Sequence, residues 1–111
     1  MLSLKIIYQD NMEANIQIFD IPTDFIAGDN ITGDMLNRYV RFSCKMKAVL
    51  FAFCVEGSVH ATINLSEYTI KKDDFITLTP DSFVQLNDVS PDAHFFYACF
   101  SQDFMENNTW S

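Results

Sequence analysis

The chain has 111 residues, enough for one domain with a core that needs neither a disulfide nor a metal to hold it. Its 15 acidic residues against 7 basic ones give a formal charge of −8, and no basic cluster exceeds Lys71-Lys72, so no direct nucleic-acid binding by this chain is expected. No window approaches the roughly 20 apolar residues of a spanning helix, and Met1 to Lys5 lacks the pattern of a secretion signal; the cytoplasm is the expected address, with no membrane partner.

Residues 1–14 hold a short apolar patch, Leu4 to Tyr8, and then the polar Gln9 to Glu13, and read as an N-terminal arm outside the core. Asn15 to Phe19 reads as a first strand in which Ile16 and Ile18 alternate with Gln17, ended by Pro22, which cannot donate to a ladder. Phe25-Ile26 pairs weakly before Ala27-Gly28-Asp29-Asn30, a loop by composition. Between Thr32 and Cys44 the pattern fits a helical turn over Gly33 to Asn37 or a strand opening at Arg38. The β-branched and aromatic residues of Arg38 to Phe42 favour the strand.

Ala48 to Val55 is the best-defined stretch. Its run of apolar residues, too short for a membrane and rich in Val, Phe and Cys, predicts a strand buried on both faces. Gly57 turns the chain, and Ser58 to Asn64 alternates as the second strand of a hairpin. Asn64 to Glu67 makes a turn, Tyr68 and Ile70 mark a third short strand, and Lys72-Asp73-Asp74 turns again. Phe75 to Thr79 and Phe83 to Asn87 follow as strands on either side of Pro80-Asp81-Ser82; in the latter, Val84 and Leu86 stand opposite Phe83, Gln85 and Asn87. Ala93 to Ser101 is the last strong strand. Gln102 to Met105 could open a helix that the polar tail, 105–111, does not complete. Short strands at this spacing mean an all-β sandwich or small barrel spanning 15–104.

Chemistry-bearing residues give little sign of catalysis. Cys44, Cys54 and Cys99 form an odd set without a C-x-x-C pair, which suits a reducing compartment, and Cys54 and Cys99 sit in apolar strands as small hydrophobes. His60 and His94 stand in no metal-ligand spacing, and most carboxylates fall in turns, where Asp bonds its own backbone. Neither a catalytic residue nor a metal site nor a cofactor is therefore expected. Eleven phenylalanines are the more telling feature: mostly core, they also suit an apolar cavity or an exposed strip for a partner.

Three stretches together carry a family resemblance: Cys54-Val55-Glu56-Gly57, Asn64 to Ile70, and Asp73-Asp74-Phe75-Ile76-Thr77-Leu78-Thr79-Pro80. From Arg38 to Phe104 the chain resembles the cupin barrel and, more narrowly, the N-terminal sensing domain of AraC-type transcription regulators. Asp73-Asp74 stands where that family has Gly-Asp, Pro80 where it has a proline, and Cys99 to Phe104 looks like the close of the sensing domain. The resemblance implies a cupin-like double-stranded β-helix, or jelly-roll barrel, with a short C-terminal helical start. Metal-binding cupins carry an H-x-H, a Glu seven residues before the Gly and a His five residues after the Pro. Here Leu50 and Gln85 fall at the last two positions and no histidine lies between Asn37 and Val49, so a cupin metalloenzyme is not expected.

What the resemblance implies is a domain that senses a small-molecule effector, forms a homodimer, or both, with DNA read by helix-turn-helix motifs that this chain lacks; the tail points to a fragment of such a regulator. The alternative is a stand-alone metal-free cupin that binds a small molecule, or a cupin enzyme. By the family's counting, Leu50, Ala52, Cys54, Phe83, Gln85 and Asn87 face into the barrel and line its ligand pocket. Phe51, Phe53 and Val55 face outward, to be covered by N-terminal strands or by a second copy.

Overall fold

The structure, a computed structural model, describes residues 5–10 and 15–107. Its strands form two sheets with the hydrophobic core between them. The larger is ordered β1 (Lys5–Asp10), β2 (Asn15–Asp20), β4 (Ser43–Met46), β9 (Phe83–Val89), β6 (Ser58–Ile63) and β7 (Ser66–Lys71). The smaller is ordered β3 (Phe25–Thr32), β10 (His94–Phe100), β5 (Val49–Glu56) and β8 (Phe75–Leu78). β2 and β4 run parallel and the other neighbours antiparallel. The all-β architecture expected from strand spacing, and the jelly-roll barrel that the family resemblance implies, are observed.

Period-2 alternation sorts each strand into an inner and an outer face. On β5, Ala52 and Cys54 are buried in the core and Leu50 packs against it, while Phe51, Phe53 and Val55 stay half-buried on the outer side. Their neighbours keep the same phase: Tyr97 and Ile76 flank Ala52 on the inside, and Phe96 and Phe75 flank Phe53 on the outside. The β5–β6 turn rests on Gly57, at φ +76, where a Cβ would come within 2.6 Å of the Ala93 backbone. Ser90 locks that corner, its Oγ accepting from the Ser58 N–H at 2.8 Å and donating to Asp92 at 2.7 Å.

Four segments differ from their sequence reading. Lys5–Asp10, within the stretch read as an arm, is strand β1, paired along its length with β2. Ala27 to Asn30, read as a loop, lies within β3: its ladder to β10 overrides the turn-forming composition, and Gly28 packs closely there, a Cβ falling 3.1 Å from the Tyr97 hydroxyl. The strand favoured at Arg38 gives way to helix α1 (Gly33–Asn37). Thr32 caps α1 by accepting from the Met35 N–H, and Gly33 fits against the Ser90 and Pro91 carbonyls, where a Cβ would come within 2.6 and 2.7 Å. Arg41, at φ 74, then breaks any ladder over 38–42 and leaves a single bridge from Val40 to Leu86. Finally, the helical start at Gln102 does complete, as α2 (Gln102–Asn107): Ser101 Oγ accepts from the Phe104 N–H at 3.0 Å, and Phe104 stacks on Phe100 with ring centroids 5.6 Å apart. Among the described residues no helix is long and apolar enough to cross a membrane.

Candidate functional site

Small residues facing each other across the two sheets, Ala52 on β5 and Ala61 on β6, leave the barrel interior incompletely filled. Two adjoining hollows result, one of about 130 Å³ beneath α1 and one of about 90 Å³ deeper in. They share the walls made by Ile31, Leu36, Leu50, Leu78, Val84 and Leu86. Met35, Tyr39 and Phe42, from α1 and the turn after it, complete the outer hollow, and Phe42 is half exposed at its margin. Among the described residues no carboxylate, imidazole, ammonium or guanidinium lines either hollow. A neutral molecule can be desolvated there at little cost, whereas a charged one has no counter-ion.

The polar side chains on the outer hollow are Gln17, Tyr39 and Cys44. On β2, Gln17 shares the inward face with Phe19, and both line the outer hollow beside their register partners Cys44 and Met46. Gln17 Oε1 is sealed from solvent and has no hydrogen-bond partner among the described residues. Leaving such an acceptor unpaired costs about 1–3 kcal/mol. The alternation of Ile16 and Ile18 against Gln17 draws the eye to the isoleucines, but the signal lay in Phe19: two residues on from Gln17, it is buried in the core and fixes the phase of the strand.

The three thiols are held protonated by burial. Desolvation pushes Cys44, at the outer hollow, up to about 11 and Cys99 up to about 12, and raises Cys54 as well, with Asp74 adding to the effect. A thiol so placed is a poor nucleophile near neutral pH.

Of the residues placed in the pocket from sequence, Leu50 lines both hollows and Ala52 the inner one. Cys54 is fully buried but borders neither hollow, its Sγ directed to the Glu56 carbonyl at 3.2 Å. Phe83, Gln85 and Asn87 require a correction: they occupy the outer face of β9, and Val84 and Leu86 face in. Phe83 is 45 % exposed beneath the Lys45 ammonium. Gln85 and Asn87 belong to a surface network in which Ser43 Oγ donates to Gln85, Gln85 to Asn87, and Asn87 to Thr62. Packing decides the phase, because burying the amides would have exposed Val84 and Leu86 to water. His60 is exposed beside Thr69, and His94 donates through Nε2 to the Asp29 carbonyl. No cluster of His, Cys, Asp or Glu able to hold a metal occurs among the described residues.

No family model and no curated protein matches this chain. Its fold is similar to solved structures. The cupin domain of Schizosaccharomyces pombe Cnp3 aligns over 96% of this chain and 67% of its own at 18% identity and a TM-score of 0.51. The plu4264 protein of Photorhabdus luminescens aligns over 93% of each chain at 14% identity and a TM-score of 0.50. The likeness is one of fold, and the fold is a cupin β-barrel.

Proposed function

We propose that this chain is a metal-independent sensing module that encloses a small neutral ligand in its barrel. The observation that carries the reading is the apolar two-part cavity, walled by side chains from both sheets and from α1. Its lining supports binding over catalysis: among the described residues no carboxylate or imidazole is at hand for general acid–base work, and Cys44 keeps its proton. The finer reading is the effector domain of an AraC-type regulator. It is favoured by Asp73, whose φ of 75 is the conformation that a glycine in the Gly-Asp turn of that family would supply. In that setting a separate part of the regulator contacts DNA, since a net charge of −8 disfavours phosphate. Three free cysteines suit action in the cytoplasm. A stand-alone cupin that binds a small molecule uses the same cavity, and helix-turn-helix patterns in the coding sequence after Ser111 would discriminate between the two.

Thermal unfolding with a panel of neutral apolar compounds tests the cavity reading. A ligand at a hundred times its Kd stabilises the native state by about 2.7 kcal/mol, which moves Tm by several degrees. Leu50→Trp, which fills the shared wall, should abolish the shift. An unchanged shift in that variant would place binding elsewhere.

The reading also includes self-association. The outer face of the β3-β10-β5-β8 sheet carries an aromatic ladder in which Phe100 packs on Phe25, Phe51 and Phe104, and Phe51 on Phe75. Phe25, Phe75 and Phe96 are 49, 64 and 49% exposed, baring roughly 300 Å² of ring surface. Phe51 is flanked by Ala98 and Thr77, and Phe53 by Phe96 and Phe75, all uncharged. The occupant we assign is a second copy, because two acidic molecules meet at least electrostatic cost through their uncharged faces, and identical sheet faces pack on one another about a two-fold axis.

A further inference from the structure

The geometry points to a ligand in two parts: a neutral molecule with a single aromatic ring seated in the outer hollow and a short alkyl tail running into the inner one. This rests on the reading of the cavity as a ligand site and adds what that site selects. Leu50, Leu78, Leu86 and their neighbours border both hollows, so the two adjoin along one aliphatic wall. The residues that each hollow has to itself differ in kind. The outer one alone is bordered by the rings of Phe19, Tyr39 and Phe42 and by the sulfur-bearing Met35, Cys44 and Met46, with Gln17 beside them. The inner one alone is bordered by Val59, Ile63, Ile70 and Ile76, by the small Ala52 and Ala61, and by the ring of Phe95.

Aromatic side chains gain from meeting another ring at its face or edge, and thioether sulfur packs well against one. The β-branched residues of the inner hollow are stiff at χ1 and resist widening to take a ring, whereas a chain enters without it. Size agrees with this division. The outer hollow, about 130 Å³, is close to the roughly 150 Å³ apolar cavity that accommodates benzene. The inner one, about 90 Å³, holds a tail of about three carbons at roughly 30 Å³ each, the share of a water molecule in the liquid. Among the described residues no cationic side chain borders either hollow to pair a carboxylate, and no anionic one to pair an ammonium group, so both parts of the ligand are uncharged.

Calorimetric titration of the full chain with benzene, toluene, ethylbenzene and propylbenzene should find affinity rising about fourfold for each added carbon. Ala61→Val, which fills the inner hollow from β6, should bind benzene as the native chain does and lose the rise toward propylbenzene. Ala52→Val fills the same hollow from β5 and should behave alike, so the test stands where one of the two fails to fold. Phe42→Leu, at the half-exposed margin of the outer hollow, should lower the affinity for benzene relative to cyclohexane about threefold to tenfold. The difference in hydrophobicity between the two compounds cancels when that ratio is compared between variant and native chain. A flat series from benzene to propylbenzene, a rise that persists in both valine variants, or a ratio unmoved by Phe42→Leu would overturn the assignment and leave the cavity reading intact. Binding of none of these compounds would remove the cavity reading and this inference with it.

Discussion

Leu65 carries a backbone conformation that its side chain disfavours. With Asn64 at φ 49 and Leu65 at φ 73, the two-residue β6–β7 loop is a type I′ turn, which prefers Asn-Gly, and the leucine side chain is 97% exposed. The left-handed region costs a non-glycine residue about 1–2 kcal/mol, against about 0.5–1 kcal/mol of chain entropy that glycine would lose on folding. Leu65→Gly is therefore expected to raise stability by about 0.5–1 kcal/mol, read as a higher urea midpoint at unchanged m; a lower midpoint would mean that Leu65 has a packing role. The buried thiols set a second expectation. Burial raises Cys44 from 9.0 to about 11 and Cys99 from 9.0 to about 12, so in alkali the unfolded chain ionises first. Their contribution to stability is complete below pH 9 and drains away between pH 9 and about 12. Urea midpoints followed from neutral pH upward should begin to fall above pH 9, and Cys99→Ala should flatten the fall. The turn at Asn64 was plain in the sequence; the inward phase of Gln17 was not, because a lone polar residue between isoleucines reads as a solvent-facing position until its neighbour Phe19 is known to be buried.

Strands were legible where apolar alternation and turn residues agreed, as over β5, β6 and the turn at Lys72 to Asp74. The phase of β9 was not. Its alternation was correctly spaced, but counting from the family's lost metal positions turned Phe83, Gln85 and Asn87 inward, where packing places Val84 and Leu86. The two phases differ in consequence. Leu86→Ala, which trims the cavity wall, should cost about 2–3 kcal/mol, and Gln85→Ala, on the outer network, about 1 kcal/mol or less. Thermal or chemical unfolding of the pair ranks them, and the reverse order would restore the inward glutamine. α1 was the other contested element. Its helical signal, a Thr cap followed by Gly33 against the Ser90 and Pro91 carbonyls, depends on a contact with the far end of the chain that local propensity cannot register.

At the scale of the molecule, a β-sandwich or small barrel could be read from turn spacing and the jelly roll from the family resemblance, whereas the uncovered aromatic face could be anticipated only from β5, whose two apolar sides cannot both line one barrel. Sedimentation velocity across rising concentration should show a monomer–dimer equilibrium, and Phe75→Glu, at an exposed rim of the ladder, should shift it to monomer while leaving Tm within a few degrees. A native chain that stays monomeric throughout would count against the second copy. The position of β10 has a consequence of a different kind. It lies between β3 and β5, so β3 has no partner strand and β5 only β8 until His94–Phe100 have left the ribosome. For most of its synthesis the nascent chain therefore holds unpaired strand edges and the phenylalanines of both sheet faces in the open, and barrel closure waits on a late, long-range event. A holdase that shields those segments in the interval acts on how much of the protein reaches the native state, not on how stable that state is.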